Sequence, residues 1–178
     1  ELGYVGETYV EMNGNGSANN VYGGGRIGNI HGNSRVLLKD NAKVSNVYGT
    51  GNAYTTFYSW GTEYTFGPIA IETTGDATIQ IQDSAVVTDT IYGYEFVEVA
   101  GKIQKTLSGS ANVYFEHSTG DFKRVMNVDL VHVTDSSKVM IDNEHKDNEQ
   151  LVNVSDLTID ASATLKLGAN AHILGNYQ

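Results

Sequence analysis

A cluster of aromatic residues in the segment 50–68 is the strongest candidate for chemistry in this sequence. Six aromatic side chains and one carboxylate lie within thirteen residues: Tyr54, Phe57, Tyr58, Trp60, Glu63, Tyr64 and Phe66. Aromatic rings stack against the apolar faces of sugar rings, and polar groups at their rims bond sugar hydroxyls. We therefore predict a ligand-binding loop for carbohydrate. The alternative is that the rings fold back over an open side of the scaffold, because large apolar rings are normally buried.

Residues for catalysis or zinc binding are not spaced as those functions require. The five histidines show neither an H-x-x-x-H nor an H-E-x-x-H spacing, and the chain has no cysteine. No G-x-S-x-G motif marks a serine nucleophile, and no carboxylates are grouped as a glycosidase requires. The G-x-G-x-x-G match at 23–28 lacks a following helical pattern, so we interpret it as a turn. The sequence predicts no catalytic residue and no cofactor.

The acidic segment 142–150 is a weaker candidate for binding calcium. Six oxygen-bearing side chains lie within eight residues: Asp142, Asn143, Glu144, Asp147, Asn148 and Glu149. Hard cations prefer such ligands, but the EF-hand spacing with its central glycine is missing. We therefore predict a solvated loop and no metal site, since charge runs usually face water.

The charge balance argues against two classes of partner. The chain has 21 acidic and 11 basic residues, which give a formal net charge of −10. Such a surface repels nucleic-acid phosphates and anionic membranes. No apolar run approaches the ~20 residues of a membrane span. We expect neither nucleic-acid binding nor membrane insertion.

An internal repeat indicates which elements position the aromatic segment. Residues 32–49 and 75–93 align with one inserted residue near Thr90, and apolar residues recur at every second position in both. This is the period of a half-buried strand. Weaker copies begin at Gly109 and Ser137. A unit of this size cannot bury its apolar face alone, so the copies are predicted to stack.

Two details of the repeat predict local structure. The D-N/S-A step at Asp40 and Asp83 is predicted to be a corner between two strands, because Asp tolerates left-handed backbone and bonds its own main chain there. Tyr22, Tyr48 and Tyr92 hold equivalent places before a glycine, so their rings are predicted to stack between neighbouring copies.

These patterns predict an all-β fold. The expected architecture is a single-stranded, right-handed parallel β-helix, or β-solenoid, of about six to eight coils. It would form one domain over 1–178, with the aromatic-rich insertion 50–68 and the acidic loop 142–150 leaving the stack. The runner-up is a β-sandwich, which short alternating strands also build.

The NVYG steps, the GGGRIGNIHGN stretch and the G-x-a-x-V-x-I-x-D-x-A units together resemble a known class. The chain is similar to the pectate-lyase-like adhesive β-helix domains of Gram-positive cell-surface proteins, and more loosely to autotransporter passengers. The resemblance implies a right-handed parallel β-helix, export, attachment to a cell wall and adhesion to host or matrix glycans or proteins. No LPxTG-type sorting signal and no thioester motif accompany it.

The functional expectation is a non-catalytic binding or adhesion module, extracellular and on a bacterial cell surface or cell wall. Its partner would be a glycan or a host extracellular protein. We expect flanking domains of a longer surface protein, since Glu1 reads as a mid-chain start. One alternative is a polysaccharide lyase or glycosidase on a β-helix, because fold alone does not decide function. Another is a purely structural spacer.

Overall fold

The computed structural model of the chain describes residues 4–141, 149–168 and 172–174. Every regular element in these ranges is a β-strand, which confirms the all-β prediction. The strands, in chain order, are β1 (Tyr4–Val5), β2 (Thr8–Met12), β3 (Ser17–Tyr22), β4 (Asn29–Ile30), β5 (Ser34–Leu38), β6 (Lys43–Tyr48), β7 (Thr55–Ser59), β8 (Thr62–Phe66), β9 (Ala77–Gln82), β10 (Val86–Val87), β11 (Thr90–Tyr92), β12 (Phe96–Val99), β13 (Lys102–Lys105), β14 (Ala111–Glu116), β15 (Asp121–Phe122), β16 (Arg124–Thr134), β17 (Lys138–Ile141), β18 (Glu149–Ile159), β19 (Thr164–Leu167) and β20 (His172–Leu174).

Helices are not found in the part of the chain that the structure describes, and so no helix there is long and apolar enough to span a membrane.

Most strands belong to one large sheet, whose strand pairs are parallel. Its path runs β10-β6-β11-β16-β14-β9-β5-β2, with β3 beside β6, and β18 and β20 beyond β16. Four small sheets accompany it: β1-β4, β15-β17-β19, and the two antiparallel hairpins β7-β8 and β12-β13. The antiparallel pairs of the described residues are confined to those two hairpins.

The register confirms the alignment read from the repeat. Strand β5 lies parallel to β9, with Val36 opposite Ile79 and Leu38 opposite Ile81. Farther along the same copies, β10 and β11 both pair with β6, and Tyr92 lies opposite Tyr48. Residues 32–49 and 75–93 therefore lie side by side at equivalent positions, as the matching apolar patterns require.

The left-handed corner between the strands of each copy is confirmed. The bonds found at its carboxylate come from the backbone of a neighbouring layer, whereas the sequence predicted bonds from the aspartate's own main chain. Asp40 has φ 58° and Asp83 has φ 56°, so both adopt the left-handed backbone expected there. The Asp40 carboxylate accepts a bond from the Gly14 amide at 2.9 Å, and the Asp83 carboxylate accepts one from the Asp40 amide at 3.3 Å. Each corner is thus fastened to the one in the preceding layer.

The apolar residues that alternate along the strands form one main core. Its largest fully buried side chains include Phe115, Phe122, Ile79, Ile81 and Leu38. The rings of Phe115 and Phe122 pack with their centroids 4.8 Å apart. Partly buried residues from β2 at one end and β19 at the other pack against the same cluster. One core therefore runs through the whole stack of parallel strands.

The predicted β-solenoid of about six to eight coils is wrong. The large sheet has eleven strands and curls into a half-barrel, and a β-helix is not shown. The physical reason is visible in β16, which runs for eleven residues without a corner. Its first part pairs with β11 and its last part pairs with β14, so two rows of strands merge into one sheet. The runner-up β-sandwich is not observed either, because these strands pair in parallel within a single curled sheet.

The two long strands β16 and β18 bend at an asparagine where a β-solenoid would have a corner. Asn127 in β16 and Asn153 in β18 have φ 53° and 54°, a conformation that Asn tolerates better than most residues. The Asn153 side-chain amide donates to Asn127 Oδ1 at 3.0 Å, and Asn127 donates to the Tyr94 carbonyl at 3.1 Å. These bonds hold adjacent strands at the same angle, which lets the sheet curl and remain continuous.

The acidic segment falls largely outside the described residues. Residues 142–148, which carry five of the six oxygen-bearing side chains considered for calcium, are among those not described. Glu149 begins β18. The sequence prediction of a solvated loop without metal stays a prediction.

Candidate functional site

The aromatic segment forms an antiparallel hairpin that pairs with no other strand among the residues that the structure describes. Strands β7 and β8 align from Thr55 opposite Phe66 to Ser59 opposite Thr62. Trp60 and Gly61 make the turn, with φ 52° and 75°. Two successive positive φ values are the signature of the type I′ turn, whose twist matches that of a hairpin. The insertion is thus a regular arm with a defined tip.

The predicted site residues are almost all on the surface of this arm. Trp60 at the tip is fully exposed, and Tyr58 is 72% exposed. The remaining exposed members are Tyr54, Glu63, Tyr64 and Phe66. Phe57 lies in β7 opposite Tyr64. The arrangement gathers the predicted residues on one two-stranded element.

The hydroxyl of Tyr58 is oriented by its neighbour across the hairpin. It donates to Glu63 Oε2 at 2.7 Å, between two residues that lie opposite each other in the ladder. This bond to the carboxylate is the main cause that raises the pKa of Tyr58. The ring is therefore held as a neutral phenol beside an acceptor, which suits contact with hydroxyl groups.

The base of the hairpin is firmly tied to the body of the protein. The Asn52 amide donates to the Gly25 carbonyl at 3.1 Å. Ala53 is fully buried and belongs to a small cluster with Ile71 and Val97. The exposed arm is therefore mounted on ordered structure, as a binding element requires.

A second hairpin was missed by the sequence prediction. Strands β12 and β13 are antiparallel, with Phe96 opposite Lys105 and a turn at Ala100 and Gly101 whose φ values are 50° and 74°. Phe96 is 55% exposed and Ile103 is 75% exposed. The sequence signal for it was weak, because the two short runs are joined by Ala-Gly, which is not among the dipeptides that favour two-residue hairpin turns.

The tyrosines predicted to stack do so. The ring centroids of Tyr22 and Tyr48 are 4.5 Å apart, and those of Tyr48 and Tyr92 are 4.8 Å apart, with the planes within 12° of parallel. Burial is the main cause that raises the pKa of Tyr22 and of Tyr48. Because each ring covers a face of its neighbour, the three tyrosines stabilise the packing of adjacent repeat copies. Little ring surface is left for a ligand.

Groups that could support hydrolysis or metal chemistry are scattered across the described residues. His132 Nε2 lies 2.8 Å from Asp160 Oδ1, on the outer surface of the large sheet. No three His, Asp or Glu side chains in the described ranges are grouped so that they could hold a metal ion. The geometry that stands out is therefore the exposed aromatic hairpin.

Comparison of the chain with protein-family models, with curated proteins and with solved structures finds no match in any of the three.

Proposed function

We propose that this chain is a non-catalytic binding module that contacts carbohydrate through hairpin β7–β8. The observation that carries the proposal is the state of Trp60. A left-handed backbone costs an ordinary residue roughly 1–2 kcal/mol, and Asn is the residue favoured at this turn position. The chain instead places its single tryptophan there, fully exposed. Strain combined with an exposed ring is typical of a contact residue.

The chemistry of the arm favours sugars over other ligands. Its surface offers the rings of Tyr58 and Trp60 for stacking and the Glu63 carboxylate as an acceptor. The same proposal assigns the module to the outside of a bacterial cell, in a surface protein with further domains, where glycans and host matrix are accessible. Adhesion is the role we propose for it there.

The test is binding of the purified chain to an array of glycans, followed by titration calorimetry on the best ligand. Trp60→Asn removes the ring and keeps a residue suited to the turn, so the hairpin persists. We expect its affinity to fall at least about tenfold, as for an aromatic anchor at the centre of a contact. Ile159→Ser is the matched control, because Ile159 is an exposed apolar residue of β18 away from the hairpin.

Unchanged affinity in Trp60→Asn, with Ile159→Ser also unchanged, would refute the proposed contact. Absence of binding to every glycan by the wild-type chain would favour the structural spacer. Release of shortened products from a polysaccharide would favour the lyase or glycosidase.

A further inference from the structure

Exposed apolar side chains are concentrated at the two hairpins. Ten large apolar side chains in the described ranges are exposed, and seven of them lie on or next to β7–β8 and β12–β13: Tyr54, Tyr58, Trp60, Tyr64, Phe66, Phe96 and Ile103. The other three are spread over β1, β2 and β18. Such concentration on an otherwise polar surface is typical of an interaction site.

The two hairpins are joined at their bases. Val97 of β12 is 4% exposed and packs in the same buried cluster as Ala53 and Ile71, which hold the base of β7–β8. Val99, also of β12, packs against this cluster. Because Val97 and Val99 are on the inner side of β12, the alternation of a strand directs Phe96 and Glu98 away from it. The second arm therefore presents Phe96 outward from a base that it shares with the first.

The charge of this composite surface differs from that of the chain. Glu63 and Glu98 are balanced by Lys102 and Lys105, so the two hairpins carry no net formal charge, whereas the chain carries −10. The Lys105 ammonium also makes a cation–π contact with the Tyr94 ring, with Nζ 4.1 Å from the ring centroid. A surface of rings, hydroxyls and balanced charges matches an uncharged ligand better than an acidic one.

We infer that β12–β13 is a second arm of the same binding site, and that the ligand is an uncharged glycan chain long enough to contact both hairpins. This inference rests on the proposed function of β7–β8. A short sugar engages the Trp60 arm alone. A longer chain also contacts Phe96 and Ile103, and the second contact adds affinity because it is intramolecular once the first has formed.

The experiment compares a disaccharide with a hexasaccharide in each of the cello-, manno-, xylo- and chito-oligosaccharide series, and in oligogalacturonate as an acidic series, by titration calorimetry. Wild-type chain is expected to bind the hexasaccharide of at least one series more tightly than its disaccharide, by about tenfold or more. Phe96→Ser combined with Ile103→Ser is expected to remove that gain and leave the disaccharide affinity unchanged. Ile103→Ser alone, at the more exposed position, is expected to reduce the gain without affecting folding.

The outcomes separate this inference from the proposed function. Loss of disaccharide binding in Trp60→Asn supports the first arm alone. Equal affinities for disaccharide and hexasaccharide, or a length-dependent gain that survives in the Phe96→Ser, Ile103→Ser variant, would overturn the second arm and leave the proposed function standing. Oligogalacturonate binding more tightly than every uncharged series would overturn the assignment to an uncharged chain. No binding in any series, together with no binding to any member of the glycan array, would overturn both.

Discussion

At the scale of single residues, the environment of the Glu95 carboxyl opposes its ionisation. Glu95 lies near the stacked tyrosines, because its charge contributes to raising the pKa of both Tyr22 and Tyr48. Burial raises the pKa of Glu95, and its backbone is fixed by bonds to Thr106. Because its pKa is higher in the folded state than in the unfolded state, ionisation of this carboxyl destabilises the fold.

Replacing Glu95 with Gln is expected to raise thermal stability at neutral pH. Below the unfolded pKa of about 4 both folded and unfolded wild type are protonated, so the variant and the wild type should melt alike. As the pH rises through the raised folded-state pKa, the wild type must bury charge and its stability falls relative to Glu95→Gln. Melting temperatures measured by circular dichroism across this window give the check. A gap between the two proteins that is the same at both ends would contradict the role of ionisation.

Residue types alone were sufficient to find the first arm of the candidate site. The density of rings from Tyr54 to Phe66 singled it out before any element was known. They were not sufficient for Phe96 and Ile103, because short apolar stretches of this kind also fit a buried strand. Their exposure depends on which face of β12–β13 meets Ala53, and that is a tertiary contact.

At the scale of elements, glycines at equivalent positions allow the backbones of neighbouring layers to approach closely where the strands end. Gly23, Gly49 and Gly93 follow the three stacked tyrosines, and each lies against the backbone of the next layer. A Cβ on Gly49 would lie 2.5 Å from the Gly93 carbonyl oxygen and 3.0 Å from the Ala77 Cβ. The strands approach so closely here that only glycine fits.

Gly49→Ala is therefore expected to destabilise the fold by about 1–3 kcal/mol, the usual cost of overpacking. Gly25→Ala is the matched control, since a Cβ on Gly25 meets nothing within 4 Å. Chemical denaturation of both variants measures the difference. Equal midpoints for Gly49→Ala and Gly25→Ala would show that the layers can separate to admit a methyl group.

The sequence predicted the register of the strands better than the positions at which they bend. Matching apolar positions identify which residues lie opposite one another, and so Val36 and Ile79 were paired correctly. The bends at Asn127 and Asn153 could not be read in the same way. Apolar residues continue on both sides of each bend within one strand, so the pattern alone does not show where the sheet turns.

At the scale of the whole molecule, the curled sheet places most of the buried apolar residues in one cluster. Members come from β3 near the start of the described chain and from β18 near its end. Phe115, at 0% exposure, contacts Phe122 near the middle of this core. Because neighbouring layers share it, loss of packing at one layer weakens the layers on either side.

Phe115→Ala is expected to cost about 3–5 kcal/mol and to shift a single unfolding transition to lower temperature. Differential scanning calorimetry measures both the shift and the number of transitions. Ile159→Ser, at an exposed position, should leave the transition near that of the wild type. Two separate transitions in Phe115→Ala would show that the two ends of the core unfold independently.

The position of Trp60 also makes intrinsic tryptophan fluorescence a reporter of ligand binding. The indole is the chain's single tryptophan and is already fully hydrated at the tip of its hairpin. Its emission should therefore change little when the core melts, so intrinsic tryptophan fluorescence would under-report denaturation. A sugar that covers the indole would shift the emission to shorter wavelength. A fluorescence titration of the unlabelled protein would then detect ligand bound at hairpin β7–β8.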